Sequence, residues 1–295
     1  MKLLLVGNPT AQSGKNAERI ERARNLLSEA GLDHDFVATE PHGGTVEVVR
    51  RLLATGAYHT AVYMGGDGTF AEVAKGILAA NAGETVRLGM LPTGTANDQG
   101  KSFGLSSEDG ELVRNVGVLH AGHETRLDAG KLTALDDDGK IVRQDLFFDS
   151  AGWGISPRVL KVRNEDRKAV EKIPLLRDLW RDQLVYAGAL FRTFLASYVD
   201  DDKFDATVEC DGETRLYAGL TDLVVKGTRI YGGAWVFAPE AQHDDGKFEV
   251  VPFAGKRDWI SKALVHLDET GSTAEALETL GVSHSEGMAG ARIDI

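Results

Sequence analysis

The stretch MGGDGTFAEV, Met64 to Val73, decides how the chain is read. Three glycines and one aspartate stand between a short apolar run, Ala61–Met64, and a segment with helical spacing. In that segment, Phe70–Ala80, residues Phe70, Val73, Ala74, Ile77 and Leu78 recur on one face. A strand that turns into a helix through Gly65, Gly66, Gly68 and Thr69 lets the backbone pass close to a phosphate and aim N–H groups at it. The helix start adds its positive end. Asp67 is poor company for a bare phosphate, since both are anionic. It makes sense if it acts through Mg²⁺ or its waters, or accepts a hydroxyl hydrogen bond. A turn aspartate in an Asx-type bond is the competing reading. Glu72, read as lying in the first helical turn, suits the helix dipole better than catalysis.

Outward from this junction the first third alternates. Leu3–Val6 reads as a strand. Gly14–Ala30 reads as a helix with Ala17, Ile20, Ala23 and Leu27 near helical spacing, closed by Gly31. Phe36–Ala38 is a second strand. A helix capped by Thr45 carries Val49, Leu52 and Leu53 and ends at Gly56. Val86–Leu91 is a fourth strand after Ala61–Met64. Strand and helix in strict turn predict a Rossmann-like parallel sheet covered on both faces. In such a sheet ligands bind beyond the carboxyl ends of the strands. Four loops fall there: NPTAQSGK (Asn8–Lys15), Thr39, GGDGT (Gly65–Thr69) and PTGTAND (Pro92–Asp98). None is a Walker A or a G-x-G-x-x-G, which disfavours a dinucleotide-dependent dehydrogenase.

From about Arg126 the texture changes to short alternating runs: Gly130–Leu135, Ile141–Phe148, Ala206–Cys210, Thr214–Val225, Trp235–Ala238 and Lys247–Phe253. Asp-Gly turns punctuate them, which predicts a mostly antiparallel β domain. The acidic runs Asp136–Asp138 and Asp200–Asp202 read as solvated tips. A helical insertion near 158–198 carries an apolar stripe with interleaved arginines, read either as core packing or as a lid or membrane-facing surface. The expected domains are 1–126 and 127–295.

The 295 residues are 42% hydrophobic, enough for a sizeable core. The formal net charge of -12 disfavours nonspecific nucleic-acid binding. It also disfavours attraction of the whole molecule to anionic lipid, although a local basic face could still dock. Cys210 is the only cysteine, so an intramolecular disulfide is impossible and a reducing cytoplasm fits. The N-terminal apolar run is too short for a signal peptide, and no window reaches the ~18 apolar residues of a membrane span. The histidines show no zinc spacing, and no serine lies in G-x-S-x-G.

Asn8-Pro9, then Gly65-Gly66-Asp67-Gly68-Thr69, then Leu91-Pro92-x-Gly94-Thr95-x-Asn97-Asp98 together resemble the diacylglycerol kinase catalytic family, which includes bacterial lipid kinases and sphingosine kinases. GGAWVFAPEAQHDDGKFEVV (Gly232–Val251) is similar to that family's second-domain signature. The resemblance implies an ATP-binding α/β domain, a β-sandwich domain and a cleft between them, with Mg²⁺ bridging phosphates. Asn8, Lys15, Thr39, the Gly65–Thr69 loop, Gly94, Thr95 and Asn97 would contact nucleotide or shape its loop. Asp67 would be the metal-linked carboxylate. Asn97 and Asp98 would form the catalytic edge, and Asp245 would be the general base.

Five features depart from the family pattern. The first loop is longer than usual, so Lys15 need not overlay the family's residue. Gln99 stands where an aromatic is common, and Asp149 and Lys226 where asparagines are common. The ending, ARIDI, is strand-like where many relatives continue to a DGE, and the C-terminal segment is a candidate to return to the first domain. The expected function is ATP-dependent phosphorylation of a hydroxyl on a diacylglycerol-like lipid, by a cytoplasmic protein peripheral to the membrane and a candidate homodimer. Two alternatives stay open: a kinase of a soluble polyol or nucleotide, as in the NAD kinases, and a nucleotide-binding sensor without transfer activity.

Overall fold

The structure is a computed structural model, described here for residues 2–9, 15–94, 96–154, 157, 203–232, 235–255, 258 and 286–295. The predicted helical insertion, Asp200–Asp202, most of the first loop and Thr95 lie outside these residues. The chain divides into two compact units. One comprises 1–126, 132–146 and 232–234; the other comprises 127–131, 147–231 and 235–295.

The first unit is built on a parallel sheet of β1 (Lys2–Gly7), β2 (His34–Ala38), β3 (Tyr58–Gly65) and β4 (Arg87–Pro92), in the order β2-β1-β3-β4. Helices α1 (Lys15–Glu29), α2 (Gly44–Leu53), α3 (Asp67–Ala79), α4 (Asp98–Ser102) and α5 (Leu112–Ala121) connect and follow the strands. The central strands are apolar at successive positions because both faces are covered. Leu3, Leu5, Val62, Met64 and Leu91 pack with Ile20 and Leu27 of α1 and Leu112 and Val116 of α5. Alternate residues Leu4, Val6, Ala61 and Tyr63 are equally buried.

Two expectations in this half change. Helix α3 begins at Asp67, three residues before Phe70, with Gly66 as its cap. Glu72 therefore falls beyond the first turn, and Asp67 is the acid within it. Thr45 is not a cap. Gly43, at φ 80, holds that position, and Thr45 Oγ1 accepts from Glu40 N (3.0 Å) and donates to Glu40 O (3.2 Å).

After a hairpin of β5 (Gly130–Leu135) and β6 (Ile141–Phe147), whose tip carries the acidic run, the second unit is antiparallel. Its strands are β7 (Ser150–Gly154), β8 (Phe204–Cys210), β9 (Glu213–Leu220), β10 (Asp222–Lys226), β11 (Ile230–Tyr231), β12 (Trp235–Val236), β13 (Phe248–Phe253), β14 (Met288–Gly290) and β15 (Ile293–Asp294). Sheets β14-β13-β10-β7 and β15-β8-β9 form a sandwich. Val208 and Cys210 meet Leu223, Val225, Phe248, Val250 and Met288 in its core. Burial raises the Cys210 thiol pKa. The run Thr214–Val225 is two strands, not one. It breaks at Thr221, whose N–H and hydroxyl both donate to Phe253 O.

The fold class is therefore an α/β N-terminal part with a parallel sheet, followed by a mostly antiparallel β-sandwich. Within the ending ARIDI, Ile293–Asp294 forms a strand paired with β8 of the second unit.

Candidate active site

At the carboxyl edge of the parallel sheet, backbone bonds draw the loops of the first unit together. Asn8 N donates to Met64 O (3.2 Å), and Thr39 N donates to Gly7 O (2.9 Å). Asn16 Nδ2 donates to Asn8 O (2.7 Å), so the start of α1 is fixed to the end of β1. Lys15 is the first residue of α1. Gly65 O accepts from both Thr93 N (2.8 Å) and Gly94 N (3.1 Å), which ties the loop after β4 to the one after β3.

Two glycines are required by this closeness. A Cβ on Gly94 would come within 2.5 Å of the Gly66 Cα, and one on Gly65 would collide with the Thr69 side chain. The two loops thus meet backbone to backbone. The first bond inside α3 runs from Phe70 N to Gly66 O (3.0 Å), so the amides of Gly68 and Thr69 have no partner within the helix. They are the donors that the strand-to-helix junction offers to an anion.

Asn97 is fully buried at φ 51, a left-handed conformation that asparagine tolerates better than most residues. Its Oδ1 accepts from Gly94 N (3.0 Å), and its Nδ2 donates to Gly94 O. Both ends of the amide are committed to its own loop, which makes Asn97 a brace for Gly94. The two aspartates are held by main-chain donors. Asp67 Oδ1 accepts from Gln99 N (3.2 Å), and Asp98 Oδ2 accepts from Gly232 N (2.7 Å). Asp98 is 8% exposed. Behind them Tyr63 is completely buried; burial, and then the negative charge of Asp67, push its phenol upward.

Gln99 stands at a buried position, and its side-chain amide has no hydrogen-bond partner among the described residues. Among the described residues no cluster of three or more His, Cys, Asp or Glu is poised to hold a metal. Mg²⁺ does not need such a cage. It takes one or two carboxylates and completes its shell with water and phosphate oxygens. Asp67 and Asp98 fit that requirement as a donor set.

In the second unit, Asp245 lies exposed in the turn before β13, where its Oδ1 accepts from Lys247 N (3.0 Å). Asp128, absent from the sequence expectations, braces this turn. Its Oδ2 accepts from Gly246 N (2.7 Å), and its N–H donates to His243 O (2.7 Å). The signal available for it was an aspartate just ahead of the strand glycine Gly130. Two departures from the family pattern prove to be partners: Lys226, 0% exposed, bonds Asp149 Oδ1 through Nζ at 2.7 Å. Opposite Lys226 on β13 stands Glu249. Burial, then the charges of Asp245 and Glu240, push its carboxyl up to about 7 against the pull of Lys226 and a backbone bond.

Residues 2–132 match the family model described as diacylglycerol kinase catalytic domain. The chain carries a diacylglycerol-kinase-like catalytic domain. It is 27% identical over 254 residues to a diacylglycerol kinase of Mycobacterium tuberculosis, covering 84% of this chain and 72% of that one. It is 29% identical over 249 residues to a diacylglycerol kinase of Staphylococcus carnosus, covering 84% and 71%. Its fold is similar to that of a diacylglycerol kinase from Bacillus anthracis, with a TM-score of 0.67 at 18% identity over 99% of this chain and 84% of the other. The resemblance to the diacylglycerol kinase catalytic family read from the motifs is thereby supported, and the names of these relatives support a kinase. No helix among the described residues is long and apolar enough to cross a membrane.

Proposed function

We propose that this chain is an ATP- and Mg²⁺-dependent lipid kinase that phosphorylates a hydroxyl of a diacylglycerol-like lipid at a membrane surface. The observation that carries the reading is the backbone approach of Gly66 to Gly94 beneath the open amides of α3, with the Asp67 carboxylate alongside. It supports a triphosphate held by main-chain donors. In this reading Asn8, Thr39 and Gly65–Thr69 would line the nucleotide, Lys15 and Thr95 remain candidates for it from the sequence alone, and Asn97 keeps Gly94 in place. Asp67 and Asp98 would hold Mg²⁺, which supplies charge neutralisation at the transferring phosphoryl group.

In the transfer, the acceptor hydroxyl oxygen forms a bond to the γ-phosphorus as the bond from that phosphorus to the bridging oxygen breaks, releasing ADP. The acceptor proton passes to Asp245, whose turn Asp128 braces. Phosphoryl transfer asks the protein mainly for positioning and electrostatics, so the base is a modest contributor, on the order of 10²–10⁴-fold.

The deciding experiment incubates the purified chain with γ-labelled ATP, Mg²⁺ and a panel of lipids containing diacylglycerol, then separates organic and aqueous phases. Label in an organic-phase product is expected. Label only in a water-soluble product would move the reading to a soluble acceptor. A thermal shift with ATP and no labelled product at all would leave a nucleotide sensor.

A further inference from the structure

The buried ion pair of the second unit has no evident purpose in stability. Placing Lys226 and Asp149 out of water costs desolvation that their attraction at best repays, so such pairs are weak stabilisers and serve instead to fix one arrangement. Their bonds show what is fixed. Asp149 O accepts from Gly227 N (2.8 Å), and Asp149 Oδ1 also accepts from the Thr228 hydroxyl. Lys226 Nζ donates to Ile230 O (2.7 Å) and stands 5.4 Å from the centre of the Tyr231 ring. Tyr231 in turn stacks on Phe237 at 5.0 Å.

In the five residues from Gly227 to Tyr231, every one but Arg229 is tied down. Arg229 is exposed and has no hydrogen bond or ion pair among the described residues, in a chain of net charge -12. The clamped neighbours fix where the Arg229 main chain stands, and the guanidinium it carries into solvent is a planar fork of donors of the kind that pairs with phosphate oxygens. We propose that Arg229 is a phosphate-binding residue and that Asp149–Lys226 is the positioning pair that presents it. This deepens the kinase reading and rests on it for the identity of the ligand: the phosphate belongs either to the nucleotide or to an anionic lipid headgroup.

The test uses the full chain and two probes whose binding is read without turnover. These are ATP by calorimetry and vesicles of phosphatidylcholine containing phosphatidylglycerol by sedimentation. Arg229→Gln is expected to weaken one of them about 10-fold, the size of one lost charge-assisted contact, and Arg229→Lys to recover part of that loss. A loss with ATP assigns the nucleotide phosphate; a loss with vesicles assigns the headgroup. Asp149→Asn alone strands Lys226, so the lock is tested with the neutral double variant Asp149→Asn/Lys226→Asn, in which two amides replace the two charges. At a melting temperature close to that of the parent, the double variant is expected to lose several-fold in the same probe that Arg229→Gln affects, with Arg229 unaltered. Unchanged binding of both probes by Arg229→Gln would overturn the site. Full binding by the double variant would overturn the positioning pair. If no acceptor is ever phosphorylated yet Arg229→Gln still weakens one probe, the kinase reading fails and the phosphate site stands.

Discussion

Between Gly65 and Asn97 the first unit does its work with main chain. Gly65 O gathers two amides, Gly66 faces Gly94 without side chains between them, and Asn97 spends its amide on Gly94. The sheet of β7, β10 and β13 in the second unit uses side-chain charge instead, with Lys226 and Asp149 paired and Glu249 held in reserve. A main-chain site is insensitive to pH and intolerant of added atoms. A side-chain site tolerates volume better but carries desolvation costs that titration can expose. The two halves should therefore fail in different ways.

The largest effect is expected at Asp67, the one acid inside the glycine turn. Asp67→Ala should lower kcat on the order of 10³-fold, as expected for a carboxylate that organises phosphate charge. Steady-state turnover with saturating ATP checks this, and near-normal kcat would remove Asp67 from the reaction. Asp245→Asn should cost about 10²-fold in kcat while ATP affinity by calorimetry stays within a few-fold. A parallel collapse of ATP binding would make it a structural residue. Gly94→Ala sharpens the contrast sterically. Its Cβ would meet the Gly66 Cα at 2.5 Å and Asn97 Oδ1 at 2.9 Å. The expected result is a loss of about 2 kcal/mol in unfolding free energy, with weakened ATP binding.

The smallest effect is at Glu249, and it carries a sign. Its folded pKa lies near 7, above the ordinary 4.5. In that interval the folded protein binds more protons than the unfolded chain, so this contribution to stability is fully present below about pH 4.5 and is lost as pH rises towards 7. Glu249→Gln should therefore gain about 1–2 kcal/mol over the parent at pH 8 and nothing at pH 4. Denaturant unfolding at the two pH values checks this. An equal difference at both would mean that the carboxyl is not desolvated.

Much of the first unit was legible because its signals are local. The alternation of apolar runs with helical spacing named all four parallel strands, and glycines marked the junctions. The start of α3 was misjudged because Gly66 took the capping role, which let Asp67, Gly68 and Thr69 enter the helix. The second unit hid more, because its decisive contacts are distant in sequence. SAGWG, residues 150–154, has poor strand propensity and becomes β7 by pairing with β10. Lys226 reads as a surface lysine until Asp149, 77 positions away, supplies its counter-charge. Asp128 gains meaning only from Gly246, 118 residues on. Among the candidate site residues, the glycine loops and aspartates were visible as motifs. The braces that hold them were not, since a brace has no composition of its own.

Cys210 gives the molecule a built-in reporter. The chain's single thiol sits 4% exposed in the sandwich core, between the two sheets of the second unit. A thiol-modifying reagent can react with it only when that unit opens, so the labelling half-life counts excursions of the sandwich alone. Disturbances confined to the glycine rim should leave that clock running at its usual rate, which separates damage to one half from damage to the other in the wild-type background.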